Sequence, residues 1–261
     1  MSPIHRPKKN LGQNFLTDTR IQQKIIQACA LNPDEVVVEI GPGQGVLTQL
    51  IAPQVKRLIC VETDRDLIEP LRSQLPDSVE IVHADFLKWE MGHLPDGIKV
   101  IGNIPYYIST PIIEKLIRDR AKVASVFLTV QLEFGERLIA EAGDGKEFGS
   151  LSCFAQYHAD IKMLFKIKNT CFRPAPKVDS CFLRLMMHPK REAKAQDEEF
   201  LFKLIQTAFQ QRRKNIVNTL KGLAGREKLE QALKDLGIEA NSRPENLSLL
   251  NYIDLSNRLV L

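Results

Sequence analysis

The chain is poor in the features that most often settle a protein's chemistry. Its five cysteines, Cys29, Cys60, Cys153, Cys171 and Cys181, form no Cys-x-x-Cys pair, and three lie in apolar stretches. That argues against a thiol-held zinc or a disulfide framework and fits buried free thiols in a reducing cytoplasm. The five histidines are scattered, with no His-Glu-x-x-His, so no metal site is expected. No apolar run reaches the roughly 20 residues of a membrane span. The first ten residues are basic and lack the apolar core of a secretory signal. A strong excess of one charge is missing too: the net formal charge is +4, compatible with nucleic acid but too weak to argue for it. No internal repeat or low-complexity tract is visible.

What is present is a globular composition, 44% hydrophobic and 26% charged, over 261 residues. That length suits one large domain and one small one. Continuous apolar runs at 35–40, 57–62, 79–83, 98–101 and 123–131 predict strands buried on both faces of a parallel sheet. Helical spacing predicts crossovers at 18–30, 45–53, 67–75, 111–120, 133–141 and 150–158. Residues 160–167 and 177–187 read as two last strands. Beyond a polar stretch at 188–194 only helical patterns follow, at 197–210, 212–221, 227–236 and 247–259. The expected organisation is an α/β domain over 1–190 and a small all-helical domain over 191–261.

Four stretches carry chemistry. The first strand ends in Glu39-Ile40-Gly41-Pro42-Gly43-Gln44-Gly45, whose glycines permit a tight turn and close approach of a ligand to the backbone. The spacing is Gly-x-Gly-x-Gly, not that of a dinucleotide site, and Glu39 would repel a pyrophosphate. It favours a cationic ligand, S-adenosylmethionine, over a nicotinamide dinucleotide; a turn without a ligand is the structural alternative. Glu62 ends the second strand about twenty residues after Gly41, where a ribose-binding acid is expected. Asp85 ends the third, placed to accept from an adenine amine or merely to cap the next turn. The fourth strand leads into Asn103-Ile104-Pro105-Tyr106-Tyr107, which brings a side-chain amide, a backbone carbonyl and a ring face together. Those are the groups that hold a flat amino-bearing base. Upstream, Leu11-Gly12-Gln13-Asn14-Phe15-Leu16 is either a hydrophobic staple before a cap at Thr17 or Asp18, or a flap over a ligand. Phe172-Arg173-Pro174-Ala175-Pro176-Lys177-Val178 is either a stiff connector or a second aromatic wall facing Tyr106. Arg212-Arg213-Lys214 is a solvated helix face or a phosphate contact.

These motifs, in this order and spacing, resemble the ribosomal RNA adenine N6-dimethyltransferases over essentially the whole chain. The bacterial enzymes that dimethylate two adjacent adenosines near the 3′ end of 16S ribosomal RNA are the nearest type. Ala175 stands where the family usually has a proline. The resemblance implies a Rossmann-like seven-stranded S-adenosylmethionine-dependent methyltransferase fold with a helical C-terminal domain that docks RNA. It implies that Gln13, Asn14 and Leu16 close over S-adenosylmethionine and that Gly41 and Gly43 admit its methionine part. Glu62 would take the ribose, Asp85 the adenine amine, and Asn103 the space between cofactor and target. The partner implied is 16S ribosomal RNA within the small subunit, met by a cytoplasmic monomer.

The expected mechanism has Asn103 and Pro105 accepting the hydrogens of the target amine. Tyr106 and Phe172 would stack on either side of the base, and Arg212, Arg213 and Lys214 would meet RNA. Competing expectations are a dimethyltransferase of large-subunit RNA or of DNA adenine, and an RNA-binding assembly factor whose methylation is secondary.

Overall fold

A computed structural model describes residues 7–8, 11–188 and 194–260. In chain order it contains β1 (Phe15–Leu16), α1 (Thr19–Cys29), β2 (Val36–Ile40), α2 (Thr48–Ile51), β3 (Arg57–Glu62), α3 (Arg65–Gln74), β4 (Val79–His83), β5 (Ile98–Asn103), α4 (Ser109–Arg118), β6 (Val123–Gln131), α5 (Leu132–Ile139), α6 (Ser150–His158), β7 (Ala159–Ile167), β8 (Phe172–Arg173) and β9 (Ser180–Met187). Then come α7 (Glu198–Gln210), α8 (Ile216–Ala224), α9 (Arg226–Asp235) and α10 (Leu249–Val260).

Seven strands form one sheet in the order β4-β3-β2-β5-β6-β9-β7. The first five pair in parallel, and β9 runs antiparallel to both β6 and β7. The chain leaves β2 toward β3 on one side and returns to β5 on the other. That makes β2 the topological switch point, whose strand ends open a crevice. Val37 and Val38 of β2 and Val100 and Ile101 of β5 are fully buried, as their continuous apolar runs require.

The caps are local chemistry. Asp18 Oδ1 accepts the Arg20 and Ile21 N–H groups at the start of α1, and Asp64 accepts the Asp66 N–H at the start of α3. α1 ends at Ala30 in the left-handed region, φ 45°. Its last carbonyls are taken by a buried cation: Lys99 Nζ on β5 donates to Cys29 O at 2.8 Å, Ala30 O at 3.1 Å and the Glu35 carboxylate at 2.9 Å. A lysine in a buried strand is thus satisfied three times over, next to the negative end of a helix.

Four sequence expectations change. The helix foreseen at 45–53 shrinks to the four residues of α2, because Gly41, Gly43 and Gly45 all take positive φ and the backbone turns repeatedly before Thr48. The helix foreseen at 212–221 starts instead at Ile216, where the Asn215 side chain accepts the Asn218 N–H as its cap. A strand pair was not foreseen: β1 lies antiparallel to β8, Leu16 opposite Phe172. The domain division also differs. The chain forms two compact units, one of residues up to Gly135 with those from Ala159 to 188, the other of Glu136–His158 with the chain from 194 onward. Residues 136–158 belong with the helices because α6 buries Cys153 and Tyr157 among Leu201, Leu204 and Tyr252. The Tyr157 ring meets Phe202 edge-on at 5.3 Å.

Replacing Lys99 by alanine should leave two α1 carbonyls and Glu35 without their donor. A loss of about 2–4 kcal/mol in unfolding free energy is expected by urea denaturation; a loss below 0.5 kcal/mol would show that water replaces the ammonium.

Candidate active site

The parallel strands deliver their loops to one cleft, lined within the first unit by residues 11–16, 39–44, 46–47, 61–63, 84–87 and 103–108. The glycine turn forms one side. Gly41 N–H bonds to Val61 O at 2.9 Å, which ties the turn to the end of β3. Gly43 N–H donates to Glu62 Oε2 at 3.1 Å, and Asp64 N–H donates to Glu62 Oε1 at 2.8 Å. Glu62 is therefore held rigid by two backbone donors, one on each oxygen. Burial raises its pKa and these bonds only partly offset that. A methyl group at residue 43 would lie 3.0 Å from the Phe15 ring, so only glycine lets Phe15 rest on the turn.

Asn103 closes β5 on the other side of β2. Its Nδ2 donates to Asn14 O at 3.0 Å, which fixes the amide and presents Oδ1 as an acceptor. The Pro105 carbonyl already accepts the Ile108 N–H at 3.2 Å in the short 3-10 turn Tyr106–Ile108, and keeps its second lone pair. Tyr106 is anchored by a 2.6 Å hydrogen bond between its hydroxyl and Ser180 Oγ, and burial pushes its phenol above the ordinary value.

The segment ahead of β1 is pinned over the acidic strand end. Asp64 accepts Lys8 Nζ at 2.5 Å and Gln13 Nε2 at 2.8 Å, while Gln13 Oε1 takes the Lys8 N–H at 2.7 Å. Burial would raise the Asp64 pKa, but the Lys8 and Gln13 bonds outweigh it and hold the carboxyl below its usual range. Asn14 Nδ2 donates to Gly12 O, and Leu16 is 2% exposed.

The lining fits S-adenosylmethionine on charge. Glu62 and Asp85 stand in a lining that contains no lysine or arginine, with the acidic Glu39 buried beneath the glycine turn. Such a cleft repels phosphate and suits a sulfonium carrying an amino group. The residues that would hold it are the glycine turn, Glu62 and Asp85.

The ribosomal RNA adenine dimethylase model matches residues 4–260. The chain belongs to that family. The ribosomal RNA small subunit methyltransferase A of Moorella thermoacetica is 39% identical, over 97% of this chain and 92% of its own length. Its counterpart in Pediococcus pentosaceus is 38% identical, over 97% and 89%. Among solved structures, the 23S rRNA methyltransferase ErmE superposes with a TM-score of 0.78 at 27% identity, covering 95% of this chain and all of that one. A dimethyladenosine transferase from Plasmodium falciparum gives a TM-score of 0.79 at 24% identity, over 92% and 95%, and supports the fold. As a member of the family the protein is an S-adenosylmethionine-dependent ribosomal RNA adenine dimethyltransferase of Rossmann-like fold. Among the described residues no group of three or more His, Cys, Asp or Glu is arranged to hold a metal, and no helix is long and apolar enough to cross a membrane.

Within this dimethylase the structure gathers Gln13, Asn14, Leu16, Gly41, Gly43, Glu62, Asp85, Asn103, Pro105 and Tyr106 around one cleft. Asp85 lines the cleft and also caps its own turn, its Oδ1 accepting the Leu87 N–H at 3.0 Å. Phe172 is a correction. It is fully buried beside Leu16, Ile25 and Phe182, because β8 pairs with β1 and turns its ring into the core, and it does not line the cleft. Arg212 is another. Its guanidinium donates to Gly145 O at 2.7 Å, Lys146 O at 2.8 Å and Phe148 O at 2.8 Å and lies over the Phe209 ring, so it clamps a loop of the helical unit. Only Arg213 and Lys214 of that run are exposed, in the turn before α8. Sequence reasoning missed Asp64 as the anchor of the leading segment; its contact with Lys8 spans 56 residues, and no local pattern signals it.

Glu39 lies 2% exposed beneath the glycine turn, and burial pushes its carboxyl up from 4.5 to about 7. The folded protein keeps this proton to about pH 7 while the unfolded chain loses it near 4.5. Stability from this group is thus fully present below about pH 4.5 and is lost as pH rises through 7. Urea midpoints should fall between pH 5 and 7, and Glu39→Gln should flatten that fall; an unchanged slope in the variant would exclude Glu39 as its source.

Proposed function

We propose that the protein transfers methyl groups from S-adenosylmethionine to N6 of two adjacent adenosines near the 3′ end of 16S ribosomal RNA in the small subunit, giving N6,N6-dimethyladenosine. The observation that carries this reading is the pairing of an acid-lined, cation-free cleft with the Asn103-Ile104-Pro105-Tyr106 turn at its side. The choice of small-subunit RNA is supported by relatives at 35–39% identity that carry that name, against 27% for the large-subunit enzyme. Cytoplasmic location follows from that substrate.

S-adenosylmethionine supplies, when bound, a methyl group on a positively charged sulfur. The adenine amine is a poor nucleophile because its lone pair is delocalised into the ring. Asn103 Oδ1 and the open lone pair of the Pro105 carbonyl accept its two hydrogens, which favours a tetrahedral nitrogen and localises the lone pair. The bond from Asn103 Nδ2 to Asn14 O keeps the amide from flipping, so its oxygen stays the acceptor. Tyr106, held by Ser180, offers one face to the base, a contact of about 1–3 kcal/mol that offsets unstacking. Binding and orientation carry the catalysis, and no side chain has to act as a strong base.

Asn103→Ala should lower transfer at least about a hundredfold while S-adenosylmethionine affinity stays within several-fold. The assay incubates protein, labelled S-adenosylmethionine and immature small subunits, then maps the labelled nucleotides. Two adjacent labelled adenosines with wild type and none with the variant is the expected result; label on large-subunit RNA instead, or near-normal dimethylation by the variant, would refute the reading. For RNA docking, Arg213→Glu with Lys214→Glu should weaken subunit binding and reduce the slope of log K against log salt by about 1–2. An unchanged slope would make these residues an ordinary surface.

A further inference from the structure

With Phe172 buried, the aromatic that remains open at the cleft is Tyr107. Among the described residues it is the sole aromatic in the set of exposed large apolar side chains, at 63%, and it lines the cleft beside Asn103 and Pro105. No other ring stacks on it among the described residues. Its own position is fixed. A methyl group built on Gly12 would lie 3.2 Å from the ring atoms Cδ1 and Cε1 of Tyr107 and 3.4 Å from Pro105 Cβ, so one edge of the ring is packed against the glycine of the leading segment. Gly12 also has φ +61°, a conformation other residues adopt at a cost. An aromatic held against a backbone at one edge, yet open to solvent, is built as a platform.

Tyr106 and Tyr107 are consecutive in a 3-10 turn, where successive side chains diverge by about 120°. They cannot both lie on one base. Tyr106 is half-buried and bonded to Ser180, and faces the pocket; Tyr107 faces outward at the mouth. A target base extruded into the pocket leaves its neighbour in the strand unstacked at that mouth, in need of a new π-face. We infer that Tyr107 stacks on the nucleotide next to the target adenosine and so holds the strand open while the amine is methylated. This rests on the proposed adenine-handling role of the cleft.

The test compares wild type, Tyr107→Phe and Tyr107→Ala as full-length protein. Methyl transfer to small subunits gives kcat and KM for RNA, and calorimetry gives the S-adenosylmethionine Kd. A short RNA with 2-aminopurine beside the target adenosine reports stacking by fluorescence quenching. Tyr107→Ala should raise KM for RNA about tenfold or more and abolish the quenching, with the change falling on KM rather than kcat and the S-adenosylmethionine Kd within twofold. Tyr107→Phe should behave as wild type. Unchanged KM and quenching in Tyr107→Ala would overturn the inference and leave the proposed function standing. An S-adenosylmethionine Kd that rises as much as KM would assign Tyr107 to seating Gly12 over the cofactor, and would also overturn it. Wild-type protein that fails to methylate adenosine at all would overturn both.

Discussion

The whole site depends on the parallel pairing of β2 with β3 on one side and β5 on the other. Parallel register brings three strand ends level, and the chain reverses its direction of travel across the sheet at β2. The glycine turn, Glu62 and Asn103 are brought to one edge by backbone hydrogen bonds alone. Each then needs only a short local bond to be aimed: Gly43 N–H to Glu62, and Asn103 Nδ2 to Asn14 O. In the proposed reading a cofactor and a base would meet across this crevice, between the loops that follow the neighbouring strands β2 and β5.

Electrostatics sharpen that geometry. The lining is acidic and holds no cation, which selects the charge type of the ligand before any specific contact forms. Lys8 is paired with Asp64 and Asp66, outside the lining. Buried carboxylates are costly, and Glu39 and Glu62 show it by their raised pKa values. That cost is borne where a cationic ligand would offset it.

Much of this was legible in the sequence because it is local. Continuous apolar runs located β3, β4 and β6 to the residue, and strand-end position picked out Glu62, Asp85 and Asn103. Of the two caps offered for α1, Thr17 and Asp18, Asp18 is the one that forms. What was not legible depends on distant partners. Phe172 looked like an exposed aromatic in a proline-rich loop, but pairing of β8 with β1, more than 150 residues away, turned it inward. Arg212 looked like one of three free cations, and only the fold supplies the three carbonyls that claim it. Residues 136–158 carry helical patterns on either side of a loop, and nothing in their periodicity tells which unit buries them.

The leading segment has a practical corollary. Residues 11–16 form part of the cleft wall, and Lys8 and Gln13 tether them to Asp64. The wall is therefore held from Asp64, which is not itself part of the lining, so loosening that one carboxylate would slacken the cleft without altering any group that faces it.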